Sequence, residues 1–253
     1  MGALWCPGGD RAGRRRDCDS SWCHPRIPGQ ARLPAVTTHS ASNGASHGLP
    51  PSPVHWAAVE DWAEEGPLAA AARERALADG SLQPPTRAQC AALGLFANVI
   101  AAEHILMLGS TAGVAEAWLL AGMDPRGALT VIDADPHRQA LTRDALTTSP
   151  SGSARVITAQ ATEVLPRLAD SGYDLIVLDE ATAISGDAQH APRLLRPGGV
   201  LAIRLADHEG SRSLRDVAAS LREDPRWATA WLTVGDGVLV SVWRGDDVAV
   251  DES

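Results

Sequence analysis

Apolar and polar stretches alternate regularly from residue 104 onward. Residues 104–108 (HILML) form a short apolar run that ends at Gly109. Ser110, Thr111, Ala112 and Gly113 follow, and an apolar helical stretch covers 114–121. A polar turn with glycine and proline, 122–127, leads into a second apolar run, 128–132, which stops at Asp133. Short apolar runs bounded by turn residues and separated by helical patterns predict βαβ units and a parallel sheet. The alternation continues with a helix over 136–147 capped near Asp135, a strand over 155–158 and a helix over 161–170. A strand over 173–178 ends at Asp179; a helix over 188–195 is closed by Pro197-Gly198-Gly199. A strand over 200–203 and a helix over 211–222 complete the series. Beyond them the pattern changes, and two strands, 227–234 and 238–244, are joined by Gly235-Asp236-Gly237, a tight hairpin signal. The predicted fold class is α/β, a doubly wound Rossmann-like sheet of five parallel strands plus a C-terminal antiparallel β-hairpin, with helices on both faces.

The segment before the first strand, 54–102, reads as helical. Val59, Trp62 and Ala63 share a face, and 67–79 is an alanine- and arginine-rich helix stopped by Gly80. Thr86 is the expected N-cap of a helix that runs to about residue 102, with Leu93, Phe96, Ala97 and Ile100 inward. Arg87 and Gln89 fall in its first turn, where a solvated helix start is expected. Residues 1–53 are a different material, rich in Gly, Pro and Ser, with six arginines against three aspartates and no hydrophobic periodicity. Such composition buries too little apolar surface to offset chain entropy, so a disordered leader is expected. The core domain spans 103–245, and 246–253 is expected to be a frayed acidic tail.

Composition narrows the partners. The 253 residues are 45% hydrophobic, ample for a core, and the net charge of −9 argues against nucleic acid or an anionic membrane surface as partner. The apolar runs are too short to span a bilayer. All 22 Lys+Arg residues are arginine. No lysine is therefore available as a base, a Schiff-base former or a phosphate ligand. Cys6, Cys18, Cys23 and His24 lack the paired C-x2-C spacing of a structural zinc site. Cys90 sits on a helical pattern as a small core residue. Nothing suggests a disulfide framework, so the cytoplasm is the expected compartment.

The candidate chemistry lies in the first βαβ unit. Its glycine-bearing turn lets backbone N–H groups approach a ligand closely, and Asp133, closing the second strand, can accept hydrogen bonds from ribose hydroxyls. An ordinary α/β crossover also needs a glycine at its turn, so the turn alone does not decide for a nucleoside. The terminal hairpin separates two readings, because nicotinamide-binding Rossmann domains normally finish with a sixth parallel strand.

Six stretches, in this order and spacing, carry a more specific likeness: ILMLGSTAGVAEAWLLAGM (105–123), LTVIDADPH (129–137), AQATEVLPRL (159–168), YDLIVLDE (173–180), LLRPGGVL (194–201) and VGDGVLVSVWR (234–244). The chain resembles the class I S-adenosylmethionine-dependent methyltransferases, and within them the catechol-type O-methyltransferase family, over about 60–244. The resemblance implies that Gly109, Ser110, Thr111 and Gly113 form the loop under the methionine part of S-adenosylmethionine. It implies Asp133 on the ribose hydroxyls, Ala134 against the adenine, and Gln160 and Ala161 at the adenine edge, where an acid is commoner than Gln160. Asp179 would sit beside the methyl group. The acceptor implied is a small-molecule hydroxyl, and relatives often pair as homodimers, for which Trp56 and Trp62 offer contacts.

The departures from the family pattern cluster. After the fourth strand, metal-dependent members carry acid-Ala-acid-Lys, where this chain has Asp179-Glu180-Ala181-Thr182. The Asp-Asn pair that completes the divalent-metal site is replaced by Arg204-Leu205, and a guanidinium repels a hard cation that needs oxygen ligands. The acid usual before the glycine loop is Met107. No metal is therefore expected, and Asp179, His208 or Asp207 is the expected base. Three functions follow: a metal-independent O-methyltransferase, a non-catalytic relative that binds the cofactor or other proteins, and an NAD-dependent oxidoreductase. The hairpin and the missing G-x-G-x-x-G disfavour the last.

Overall fold

The structure, a computed structural model, describes residues 53–147, 149, 153–206 and 210–246. The expected leader with Cys6, Cys18, Cys23 and His24, the loop residues Asp207 and His208, and the tail beyond 246 lie outside the described residues, as does the side chain of Trp56.

Three helices come first: α1 (Pro53–Trp62), α2 (Pro67–Asp79) and α3 (Arg87–Val99). Then follow β1 (His104–Leu108), α4 (Val114–Gly122), β2 (Ala128–Asp133), α5 (Pro136–Leu146) and β3 (Ser153–Thr158). The short α6 (Ala161–Val164) precedes β4 (Tyr173–Asp179), α7 (Glu180–Ile184), α8 (Ala191–Leu194) and β5 (Leu195–Arg204). The chain closes with α9 (Arg212–Glu223), β6 (Trp227–Leu232) and β7 (Val238–Trp243). One seven-stranded sheet has the order β3-β2-β1-β4-β5-β7-β6. The first five strands pair in parallel, and β7 pairs antiparallel with both β5 and β6. The expected fold class holds.

The strands read as unbroken apolar runs because helices cover both faces. Side chains alternate across the sheet, so Ile105, Met107, Leu175 and Val177 pack with α3 and α4 on one face. Leu106, Leu108, Ile176 and Leu178 pack with Leu214 and Leu221 of α9 on the other. No helix among the described residues is long and apolar enough to cross a membrane.

Several local expectations are corrected. The helix expected over 161–170 is a single α-turn followed by a 3-10 turn at Leu165–Arg167, because Pro166 lacks the N–H that would continue it. The helix expected over 188–195 is a 3-10 turn, Asp187–His190, and then α8. Strand β5 begins at Leu195, which pairs with Tyr173, and the ladder resumes at Leu175 with Val200, so residues 196–199 form an irregular, bulged stretch of the strand instead of ending a helix. The hairpin loop covers 233–237, longer than the Gly235-Asp236-Gly237 turn. At the N-terminal side, Ala63 is buried but Trp62 is 88% exposed, so the two do not share a core face.

The order β2-β1-β4 marks the switch point of the sheet, where connections leave β1 and β4 toward opposite faces. Ligands of open α/β sheets bind in the crevice this leaves at the carboxyl ends of the strands.

Candidate active site

Four strand ends build the crevice. β1 delivers Gly109, whose φ of +87° lies in the left-handed region and whose N–H donates to the Ile132 carbonyl at 3.0 Å. The loop after it is held by carboxylates. Ser110 N–H donates to Asp133 Oδ2 at 2.7 Å, and Thr111 N–H donates to Glu116 Oε1 at 2.9 Å. The Thr111 hydroxyl also bonds Glu116, and it accepts from the Ala115 N–H of the first turn of α4 at 2.9 Å. Glu116 is wholly buried in the first turn of α4, where the helix dipole favours negative charge.

Gly113 has a different task. Its φ is +91°, and a methyl group there would meet Ala145 Cβ at 2.3 Å, so it lets α4 pack on α5.

β2 delivers Asp133. Its Oδ1 accepts from the Asp135 N–H at 2.8 Å, and the Arg138 guanidinium donates to the same oxygen at 3.2 Å. Asp135 caps α5, accepting from the N–H groups of His137 and Arg138; those bonds hold its carboxyl below the usual range. The Asp133 side chain is only 4% exposed, so Arg138 covers the acid expected to face a ribose.

β4 and β5 deliver Asp179 and Arg204, which are register partners. Asp179 caps α7 through a 2.7 Å bond from the Thr182 N–H. Its carboxylate also stands against Gly109, where a methyl group would lie 2.3 Å from Oδ2. Glu180 ties the loop after β5, accepting from the N–H groups of Ala206 (3.2 Å) and Ser211 (2.7 Å). Gln89 corrects the expectation of a solvated helix start: it is fully buried, and Nε2 donates to the carbonyls of Leu205 (2.9 Å) and Gly237 (2.8 Å). Cys90 beside it is a buried free thiol, which burial pushes up to about 12 although the Arg204 guanidinium pulls it back.

The crevice has two lobes that share Arg138, Asp179 and Ala181. The smaller, of about 360 Å³, brings together Gly109, Asp133, Ala134, Gln160 and Ala161. The larger, of about 800 Å³, takes in Ser110, Thr111, Gln89 and Arg204. Gly113 lines neither, and His208 is outside the described residues. Arg204 and Leu205 offer no side-chain oxygen to a divalent metal, and no trio of His, Cys, Asp or Glu converges among the described residues, which leave out 207–209. The smaller lobe has groups that suit a nucleoside, since Asp133, Ala134 and Gln160 line it together with Gly109, whose missing side chain makes room for the Asp179 carboxylate. Sequence reasoning missed Arg138, Glu116 and the burial of Gln89. Only Arg138 left a signal, an arginine one turn into the helix that Asp135 caps.

Known proteins agree with this architecture. A family model described as "Methyltransferase domain" matches residues 106–203. A "Putative O-methyltransferase" of Mycobacteroides abscessus is 38% identical over 192 residues, covering 70% of this chain and 88% of the relative. A protein of the same name from Mycolicibacterium vanbaalenii is 35% identical over 196 residues, covering 70% and 84%. Among solved structures, the O-methyltransferase from Bacillus cereus in complex with SAH (S-adenosylhomocysteine) superposes with a TM-score of 0.62 at 18% identity, covering 75% of this chain and 99% of that one. At that identity the likeness speaks to the fold.

Proposed function

The chain belongs to the O-methyltransferase family, and we propose that it methylates a small-molecule hydroxyl from S-adenosylmethionine without a divalent metal. The observation that carries this reading is the meeting of Gly109, Asp133 and Asp179 at the switch point of the sheet. Gly109, Ser110 and Thr111 would hold the methionine end. Asp133 would take the ribose, and Ala134, Gln160 and Ala161 would line the adenine. Gly113 shapes the loop from behind by admitting Ala145. Bound there, S-adenosylmethionine supplies an activated methyl group and leaves as S-adenosylhomocysteine.

The chain's own work is positioning and proton removal. Asp179 lines both lobes and its Oδ1 is occupied by the Thr182 N–H, which leaves Oδ2 to accept the proton of the acceptor hydroxyl. A base so placed removes the need for a metal to acidify that hydroxyl, and Arg204 stands where a metal ligand would be required. The single free cysteine among the described residues suits a reducing cytoplasm. Exposed Trp62 offers a contact for a homodimer, which light scattering tests: a monomer contradicts it.

Release of S-adenosylhomocysteine from S-adenosylmethionine in the presence of polyhydroxylated acceptors tests the reaction. Turnover that persists in EDTA supports the proposal. Turnover lost in EDTA and restored by Mg²⁺ overturns its metal-free form.

A further inference from the structure

Two arginines at the crevice, Arg138 and Arg204, have a buried Nε without a hydrogen-bond partner among the described residues, but Arg138 is ion-paired with Asp133 and Asp135. Arg204 lines the larger lobe, and its Nε is buried with no hydrogen-bond partner among the described residues. A buried donor left unpaired is destabilising, and an arginine cannot shed its proton to relieve the cost. No ion pair joins Arg204 to a carboxylate among the described residues: Asp179 Oδ1 accepts from the Thr182 N–H, and both oxygens of Glu180 accept from the N–H groups of Ala206 and Ser211.

A second polar atom of the same lobe is also unsatisfied. Gln89 is fully buried, and its Oε1 has no partner among the described residues. Its orientation is fixed by chemistry: both groups that meet the other end of the amide are carbonyls, so Nε2 must be the end that donates to them. The lobe is lined by the Arg204 guanidinium and the neutral Gln89 amide, together with Arg138 and the carboxylates of Asp179, Glu180 and Asp236. Leu82, Pro84, Pro85 and Leu205 supply apolar lining to the same lobe.

A carboxylate is the planar, two-oxygen anion that matches a guanidinium fork. We propose that Arg204 anchors a carboxylate of the acceptor, so that the substrate is a hydroxylated acid whose carbon skeleton lies on the apolar lining and whose own donor reaches Gln89 Oε1. That the anion belongs to a methyl acceptor rests on the methyl-transfer reading; the anion site itself does not.

The test uses 3,4-dihydroxybenzoate and 3,4-dihydroxybenzamide, which have the same ring and differ in charge. Each is titrated calorimetrically into the full chain, with and without S-adenosylhomocysteine. The acid should bind at least ~10-fold more tightly than the amide, the worth of a charge-assisted pair. Arg204→Met should bring the acid down to the level of the amide while S-adenosylhomocysteine affinity stays the same, and Arg204→Lys should recover part of the preference. Circular dichroism of each variant checks that the fold is kept, and the acid–amide comparison within the wild-type chain needs no variant. Equal affinity of acid and amide, a preference that survives in Arg204→Met, or no acid binding at millimolar concentration overturns the anion site. Acid preference without S-adenosylhomocysteine binding keeps the anion site and sinks the methyl-transfer reading. S-adenosylhomocysteine binding without acid preference does the reverse.

Discussion

A methyl group on residue 109 would stand 2.3 Å from Oδ2 of Asp179, so the glycine that ends β1 and the carboxylate that ends β4 share one space. No side chain fits at 109 while Asp179 keeps its place, and the φ of +87° disfavours one independently.

Gly109→Ala should therefore push Asp179 off its position and disturb the lobe that both residues line. The backbone strain costs about 1–3 kcal/mol of stability, and S-adenosylhomocysteine affinity should fall at least ~10-fold, the loss of about one well-made contact. Calorimetry and thermal melting read the two effects. Undiminished affinity would show that the ligand does not approach residue 109.

Asp133→Ala removes the acceptor of the Ser110 and Asp135 N–H groups as well as the proposed ribose partner. The expected result is a loss of ~1.5 kcal/mol or more in cofactor binding, with destabilisation of similar size, since both lose hydrogen bonds to a charged group. Destabilisation without any loss of binding would confine Asp133 to a structural role.

Arg138 occupies Oδ1 of Asp133 at 3.2 Å and so competes with a ribose for that oxygen. Arg138→Met should release it and raise S-adenosylhomocysteine affinity by ~5-fold, about 1 kcal/mol. A fall in affinity would mean that Arg138 contacts the ligand itself.

Much of the fold was legible because its strands are buried on both faces. HILML and YDLIVLD announce themselves as apolar runs, and Gly109, Asp133 and Asp179 stand out as the residues that end them. Two kinds of feature were not legible. Tertiary pairing overrode local signals where Leu195 joins Tyr173 ahead of Pro197-Gly198-Gly199, a sequence that locally reads only as a break. Polar residues buried by long-range bonds gave no warning either: Gln89 is held by carbonyls 116 and 148 residues away, which no local pattern records. Glu116 shows the same limit at short range, since an acid in a first helical turn is ordinarily solvated until a loop folds over it.

Asp174 straps the opposite end of the sheet, accepting from the Glu103 and His104 N–H groups at 2.7 Å each and from Arg196. Burial pushes its carboxyl up, but the His104 N–H, the Arg196 guanidinium and the Glu103 N–H together hold it below the usual range. A carboxyl depressed in the folded state contributes stability above its unfolded pKa, about 3.9, and loses that contribution as pH falls through the folded value. Denaturant midpoints should therefore decline below about pH 4, and Asp174→Asn should be less stable at pH 7 and show a shallower decline. An identical acid slope in the variant would contradict this assignment.

Titration of S-adenosylhomocysteine into the full chain, first in EDTA and then in Mg²⁺, tests most directly whether the proposed cofactor site works without metal. Micromolar affinity, the same in both, is the predicted result. Absence of binding, or binding that emerges only with Mg²⁺, would contradict it.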